Sequence, residues 1–251
     1  DLHWYPHSFP TRRSSDLPVL DEINHLAQRQ AAVWLPLELG DFASVRRCDD
    51  AFLQTGQPLH LLINNAGLAA SKGLTTSGFE RTFGVNHLGH FLLTQLLLER
   101  VTQSGPAARI VTVASRAHRR APAIDWDALT RPTRSVTGIP EYAVSKLANV
   151  LFSAELARRL QGSGVSTYAL HPGVVATEVW RAVPWPLRPL LKLAGMITPE
   201  EGAQTTLHCA LRAPQSETGL YYSRSRLSTP SAMGQDAALA AELWRRSEAW
   251  C

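Results

Sequence analysis

Apolar and polar positions along the chain sort into two patterns that take turns. Short unbroken apolar runs alternate with longer stretches in which apolar residues recur every three or four positions. Leu20, Ile23 and Leu26 fall at helical spacing, and residues 31–39 (AAVWLPLEL) then form a continuous apolar run expected as a buried strand. The next helix has Asp41 or Ser44 as its candidate cap and Val45, Ala51 and Phe52 among its apolar positions. Residues 59–63 predict a second strand, ending at Asn64-Asn65-Ala66-Gly67. A long amphipathic helix is expected over 77–103, and strands over 108–113 and 165–170. Between those strands stands a helix from about 142 to 160, closed by Gly162 and Gly164. A helix over 199–211, a short strand over 219–222 and a last helix over 237–247 complete the pattern. The expected strands are continuous apolar runs, which suits a parallel sheet covered by helices on both faces. Residues 18–251 suit one such α/β domain.

Residues 1–17 (DLHWYPHSFPTRRSSDL) show neither period. Their prolines, serines and paired arginines predict disorder, and the string resembles a translated sequencing adapter, so it is set apart from the fold as a foreign segment. The net charge of +4 comes mainly from arginines scattered singly or in pairs, with no basic block interleaved with aromatics. That pattern argues against a nucleic-acid partner. Cys48, Cys209 and Cys251 lie far apart with no paired spacing, as ordinary thiols of a reducing compartment do. No apolar run reaches the roughly 18 residues of a membrane span and no signal-peptide core is visible, so a cytoplasmic protein is expected.

Candidate chemistry lies just past three expected strands: Asn64-Asn65-Ala66-Gly67, Ser115 after IVTVA, and His171-Pro172-Gly173 after STYAL. The carboxyl ends of parallel strands share one crevice, where ligands of such sheets bind. Tyr142 and Lys146 stand four apart on one helix face. A phenol with a pKa near 10 is a poor base at neutral pH. A neighbouring ammonium favours the phenolate, and Tyr142 could then take up or return an alcohol proton. Ser115 would hold the substrate oxygen, and Asn86 would anchor a water linking Lys146 to solvent. Tyr-x-x-x-Lys alone arises by chance in many helices. The ordered set of NNAG, Asn86, Ser115, Tyr142 with Lys146, and Pro172-Gly173 is far more specific.

That set resembles the short-chain dehydrogenase/reductase family over about residues 20–244. The phrases VNHLGHFLLT, YAVSKLANVLF, HPGVV and EGAQTTLHCAL are similar to its retinol-dehydrogenase-like branch. The resemblance implies a Rossmann-like, doubly wound sheet and hydride transfer between a nicotinamide cofactor and an alcohol or carbonyl. It makes Ser115, Tyr142 and Lys146 the catalytic triad and Asn86 the fourth member. Tyr142 and Lys146 also face the cofactor, Lys146 through the nicotinamide ribose hydroxyls. Asn64, Asn65, Ala66 and Gly67 would lie against the adenine ribose. After Pro172 and Gly173, Val174 and Thr177 would meet the carboxamide and a nearby phosphate. Glu38 stands where the family has an aspartate that contacts the adenine amino group.

The family's phosphate cradle, TGxxxGIG at a helix N-terminus, is nowhere in the 251 residues; Gly40, Gly56 and Gly67 stand singly. The expectation is a truncated gene fragment lacking the first β-α-β unit. The run at 31–39 would then lose its strand partner, and the strand at 59–63 would gain an open apolar edge. The segment that chooses between NAD and NADP is missing with it; the branch resembled favours NADP by analogy. An inactive fragment or a non-catalytic nucleotide-binding protein is the alternative function. A nucleotide-sugar epimerase also uses YxxxK, but the short chain after Lys146 and the HPGVVAT run disfavour it.

His87 and His90 are three apart on a helix but lack a third ligand, so no metal is expected. His118 and His171 read as hydrogen-bonded loop residues, and Asp125 and Asp127 as capping or solvated carboxylates. Residues 180–196 (WRAVPWPLRPLLKLAGM), within a lid of about 178–198, are rich in tryptophan, leucine and proline. They imply a small lipophilic alcohol or carbonyl substrate. Arg181, Arg188 and Lys192 leave room for peripheral membrane contact. The family resemblance further implies a homodimer or tetramer.

Overall fold

The computed structural model describes residues 16–173 and 197–251. Its centre is a five-stranded sheet in the order β1 (Leu61–Asn64), β2 (Arg109–Val113), β3 (Ser166–His171), β4 (Tyr221–Ser223), β5 (Arg226–Leu227). The first four strands run parallel, with Ile63 beside Val111, Val111 beside Tyr168, and Ala169 beside Tyr221. β5 turns back antiparallel on β4. Every position of β3 is buried, the signature of a strand covered on both faces.

One face is covered by α6 (Pro199–Leu211), whose Cys209 and Ala210 pack on Val111, Val113, Tyr168, Leu170 and Tyr222. The other is covered by α4 (Gly89–Gln103) and α5 (Ile139–Arg159), with α7 (Ala237–Trp250) behind them. There Phe91, Phe152 and Trp244 form a knot of rings against Ile110. α2 (Phe42–Leu53) packs on α4 through Val45, Leu92, Leu93 and Leu97. Gly89 permits the close approach of residue 39, because a Cβ there would stand 2.3 Å from the Leu39 carbonyl oxygen. The expected α/β sheet with helices on both faces is therefore present.

Local chemistry accounts for the helix starts. Thr198 and Glu201 form a reciprocal capping box that opens α6. Asp41 caps α2 through the Ala43 N–H, while Ser44, the other candidate, accepts from the Glu38 N–H. α1 (Asp16–Ala27) contains Leu20, Ile23 and Leu26 as expected, but it takes in the last two residues of the segment set apart at 1–17. The rest of that segment and residues 174–196, which hold most of the lid, lie outside the described residues.

Several expectations need correction. Residues 31–38 form no strand. Ala31 and Ala32 give their N–H groups to Asn24 Oδ1 instead, and among the described residues no strand pairs with the outer edge of β1. Leu37 and Leu39 still pack against α2 and α4, but Val33 is 68% exposed, so only the end of the run reaches the core. β1 has the open apolar edge foreseen at 59–63, with Ile63 38% exposed. The helix expected over 77–103 begins at Arg81, after a turn in which Gly78 has φ +87° and Glu80 caps through the Phe83 N–H. It is also interrupted: α3 (Arg81–Phe83) runs into a π-helical turn (Gly84–Leu88) before α4. α5 starts earlier than 142, where left-handed Gly138 and Pro140 set its first turn. The strand expected at 219 starts at Tyr221, and α7 extends to Trp250. β5 was unforeseen; Arg224 and Ser225, with φ of 52° and 57°, make the two-residue turn into it.

Candidate active site

Because β1, β2 and β3 are adjacent and parallel, Asn64, Ser115 and His171 arrive at the same edge of the sheet. The first two turns of α5 bring Tyr142 and Lys146 to that edge. Lys146 is buried, and its Nζ donates to the Val113 carbonyl at 2.8 Å, a carbonyl that also takes Asn149 Nδ2 at 3.1 Å. Burial pulls the ammonium down to about 8. Its Nζ lies 5.9 Å from the centre of the Tyr142 ring.

Burial pushes the Tyr142 phenol up, and a hydrogen bond with Ser115 pulls it back. Ser115 thus favours the phenolate, beside the Lys146 ammonium that was read for the same role. Ser115 also caps the 3-10 turn Arg116–Arg120, its Oγ accepting from the Ala117 N–H at 3.2 Å.

Asn86 sits in the π-helical turn, the kind of one-residue bulge that recurs at functional sites. Its Oδ1 accepts from the Leu68 N–H at 2.9 Å, and its Nδ2 donates to the Leu68 carbonyl at 2.9 Å and to Ser145 Oγ at 3.0 Å. Both side-chain donors are spent, so the side chain clamps the loop after Gly67 to α5. Any water link to Lys146 falls to the main-chain carbonyl of Asn86, which already meets His90 Nδ1 at 3.1 Å.

The sequence profile described as short chain dehydrogenase matches residues 9–127. Human retinol dehydrogenase 12 is 45% identical over 221 residues, spanning 84% of this chain and 67% of that protein. Human retinol dehydrogenase 11 is 42% identical over 230 residues, spanning 90% of this chain and 71% of that protein. The chain belongs to the short-chain dehydrogenase family. Within it, the likeness is to the retinol dehydrogenase branch. Among solved structures, an uncharacterized protein from Mycobacterium paratuberculosis matches with a TM-score of 0.66 at 36% identity, covering 85% of this chain and 73% of that one. The NADPH-bound carbonyl reductase from chicken fatty liver, at a TM-score of 0.65 and 20% identity over 89% of this chain and 85% of that one, shares the fold.

A dinucleotide cofactor of this family can be tested against the residues present. Around residues 64–67, expected at the adenine ribose, and Lys146, expected at the nicotinamide ribose, they fit. Asn65, Ala66 and Gly67 form an exposed ledge beyond buried Asn64, whose Nδ2 donates to Thr94 Oγ1 at 2.9 Å. A Cβ on Gly67 would come within 3.2 Å of Asn86 Oδ1 and 3.4 Å of Lys146 Nζ, so the glycine keeps that space open. Lys146 has N–H groups beyond the one given to Val113. At the pyrophosphate end no glycine-rich turn joins a strand to a helix among the described residues. Glu38 is exposed, and its Oε1 accepts from the Gly40 N–H at 3.1 Å, so the carboxylate is partly committed to its own turn. Pro172 and Gly173 are half-buried, with Gly173 at φ +106° against Ile197; Val174 and Thr177 lie outside the described residues.

His87 and His90 are core groups. Burial holds His87 down to about 3 and His90 to about 4, and His87 Nε2 pairs with Ser247 Oγ at 2.9 Å. Among the described residues, no group of three or more His, Cys, Asp or Glu could hold a metal. Asp125 caps the turn Trp126–Thr130, one of the two roles read for it.

His118 is the residue whose importance the sequence concealed. It is fully buried, its Nδ1 lies 2.6 Å from the Ser115 carbonyl oxygen, and the Ser231 N–H donates to its Nε2 at 3.1 Å. Since Nε2 accepts, Nδ1 carries the proton and donates to Ser115. A neutral imidazole thus ties the Ser115 turn to a segment 113 residues away.

Proposed function

We propose that this chain carries the proton-handling centre of an NAD(P)-dependent oxidoreductase that interconverts a lipophilic alcohol and its aldehyde or ketone, with Tyr142 as general acid and base. The observation that carries this reading is the convergence of Ser115, Tyr142 and the buried Lys146 at one edge of the sheet, with Lys146 Nζ 5.9 Å from the centre of the Tyr142 ring. When bound, the nicotinamide supplies or accepts the hydride at the substrate carbon. Ser115 Oγ holds the substrate oxygen, and the Tyr142 phenol gives that oxygen its proton during reduction or takes it during oxidation. Lys146, brought to about 8, is close enough to neutrality to exchange a proton with solvent while it holds the ribose hydroxyls. The named likeness to retinol dehydrogenases, and the apolar sequence over 180–196, support a lipophilic substrate met at or near a membrane surface by a cytoplasmic protein. NADP is the favoured cofactor by analogy with that branch.

A second reading keeps the catalytic centre but no firm grip on the nucleotide, and the missing glycine-rich turn favours it. The two are separated by titrating the purified chain with NADPH and NADH through quenching of tryptophan fluorescence, followed by reduction of retinal. Saturable binding and turnover that falls about 10²- to 10⁴-fold in Tyr142→Phe support the first reading. Absence of binding with an intact fold supports the second.

A further inference from the structure

At the carboxyl ends of β3 and β4 stand polar groups that proton transfer at Tyr142 does not use. Ala114, Val150, Ala169 and Tyr221 pack together, so the face of the sheet that carries Ala169 and Tyr221 looks towards α5. His171, two residues beyond Ala169 on the same strand, shares that face. His171 is 5% and Tyr221 2% exposed, yet among the described residues His171 Nδ1 and Tyr221 Oη have no hydrogen-bond partner. Neighbouring His118 cannot satisfy them. Its ring lies edge-on to Tyr221 at 5.0 Å, and both its nitrogens are already engaged.

Among the described residues, the charges around this pair are of one sign. Arg116 follows Ser115, and Arg224 follows Ser223, the register partner of His171. Burial pulls His171 down to about 4, with Arg116, His118 and Arg224 acting in the same direction. Burial pushes Tyr221 up to about 12 against the pull of Arg119 and Arg116. Among the described residues no carboxylate acts on either group. An unpartnered phenol O–H and an imidazole that can place its proton on Nδ1, in a positive field, are the complement of an anionic oxygen.

We propose that this recess binds an oxyanion, a carboxylate or phosphate oxygen of a small molecule seated beside Ser115. Tyr221 Oη–H and His171 Nδ1–H are its donors, and Arg116 and Arg224 supply its charge. A neutral carbonyl would satisfy the donors and leave the field unanswered. In placing the anionic end of a substrate here, the assignment extends the oxidoreductase reading; the binding itself needs neither cofactor nor turnover.

The test is NMR of the His171 and Tyr221 ring resonances in the full chain near neutral pH. Inorganic phosphate or butyrate is titrated in, with sodium chloride holding ionic strength constant. Saturable shifts of both rings are expected, weakened several-fold in Arg116→Gln and in Arg224→Gln, two exposed positions where substitution spares the core. Arg245→Gln, on an exposed helix face beside Glu242, should leave them unchanged. Binding of only one probe assigns carboxylate or phosphate; binding of both supports a general oxyanion site. No shift with either probe, or a shift indifferent to both arginines, overturns the proposal, and the hydride-transfer reading would still stand.

Discussion

Removing the Asn86 side chain is expected to loosen the site, by an amount the geometry bounds. Three hydrogen bonds are lost, two to the main chain of Leu68 and one to Ser145 Oγ. Asn86 is 0% exposed, so water cannot replace them without entering the core. Each is worth about 0.5–1.5 kcal/mol net. Leu68 is half-buried and recovers part from solvent, and Ser145 Oγ keeps its bond to the Tyr142 carbonyl at 2.8 Å. Asn86→Ala should therefore cost about 2–3 kcal/mol, a large share of the roughly 5–15 kcal/mol that holds a domain folded. Asn86→Leu, close in volume, removes the bonds without opening a cavity and should cost within about 1 kcal/mol of the alanine variant. Urea unfolding followed by tryptophan fluorescence, analysed with a shared slope, measures both. If Asn86→Leu costs less than about 0.5 kcal/mol, the polar clamp is not what holds this loop.

Other consequences are as direct. His87 and His90 are held neutral at about 3 and about 4 in the fold and return towards 6.5 when unfolded. The unfolded chain then binds more protons, so stability is full above about pH 6.5 and falls by about 1.4 kcal/mol per pH unit per histidine in acid. Equal urea midpoints at about pH 7 and pH 5 would contradict this. His118→Phe keeps a ring against Tyr221 but strands the Ser115 carbonyl and the Ser231 N–H. It should cost about 1–3 kcal/mol and, in any active preparation, lower kcat more than it raises KM. Thr198→Ala breaks the capping box and should cost about 0.5–2 kcal/mol in thermal unfolding; no change in Tm would refute the role of the cap.

Features legible in the sequence were those that a residue carries by itself or shares with near neighbours. The strands expected over 108–113 and 165–170 became buried parallel strands within a residue of those bounds, because strands covered on both faces need no alternating polar face. α6 kept its expected bounds because its cap lies within four residues of chain. Residues 31–39 misled because a strand is defined by a partner, and composition cannot supply one. The π-helical turn at Gly84–Leu88 was invisible because one extra residue in a turn barely disturbs a period of 3.6. Arg224-Ser225 adopts a hairpin turn usually signalled by Asn-Gly, so β5 gave no cue. The role of His118 depends on a contact with Ser231, far along the chain.

The proposed catalytic centre is held by three clasps, each joining elements distant in sequence. The Val113 carbonyl takes Lys146 and Asn149 from α5; Asn86 joins Leu68 to Ser145; His118 joins Ser115 to Ser231. None of the three uses a residue before Leu68, whereas the ledge proposed to face a cofactor hangs from β1, whose outer edge is unpaired among the described residues. The proposed proton-handling geometry therefore rests on the well-packed middle of the sheet, and any nucleotide grip at residues 64–67 on a strand whose outer edge is open among the described residues. A perturbation at the edge of β1 should loosen the ledge at Asn65–Gly67 before it disturbs Tyr142, Ser115 and Lys146. On this fold the two halves of the chemistry are separable: failure to bind a nucleotide would not imply that the proton-transfer site is malformed.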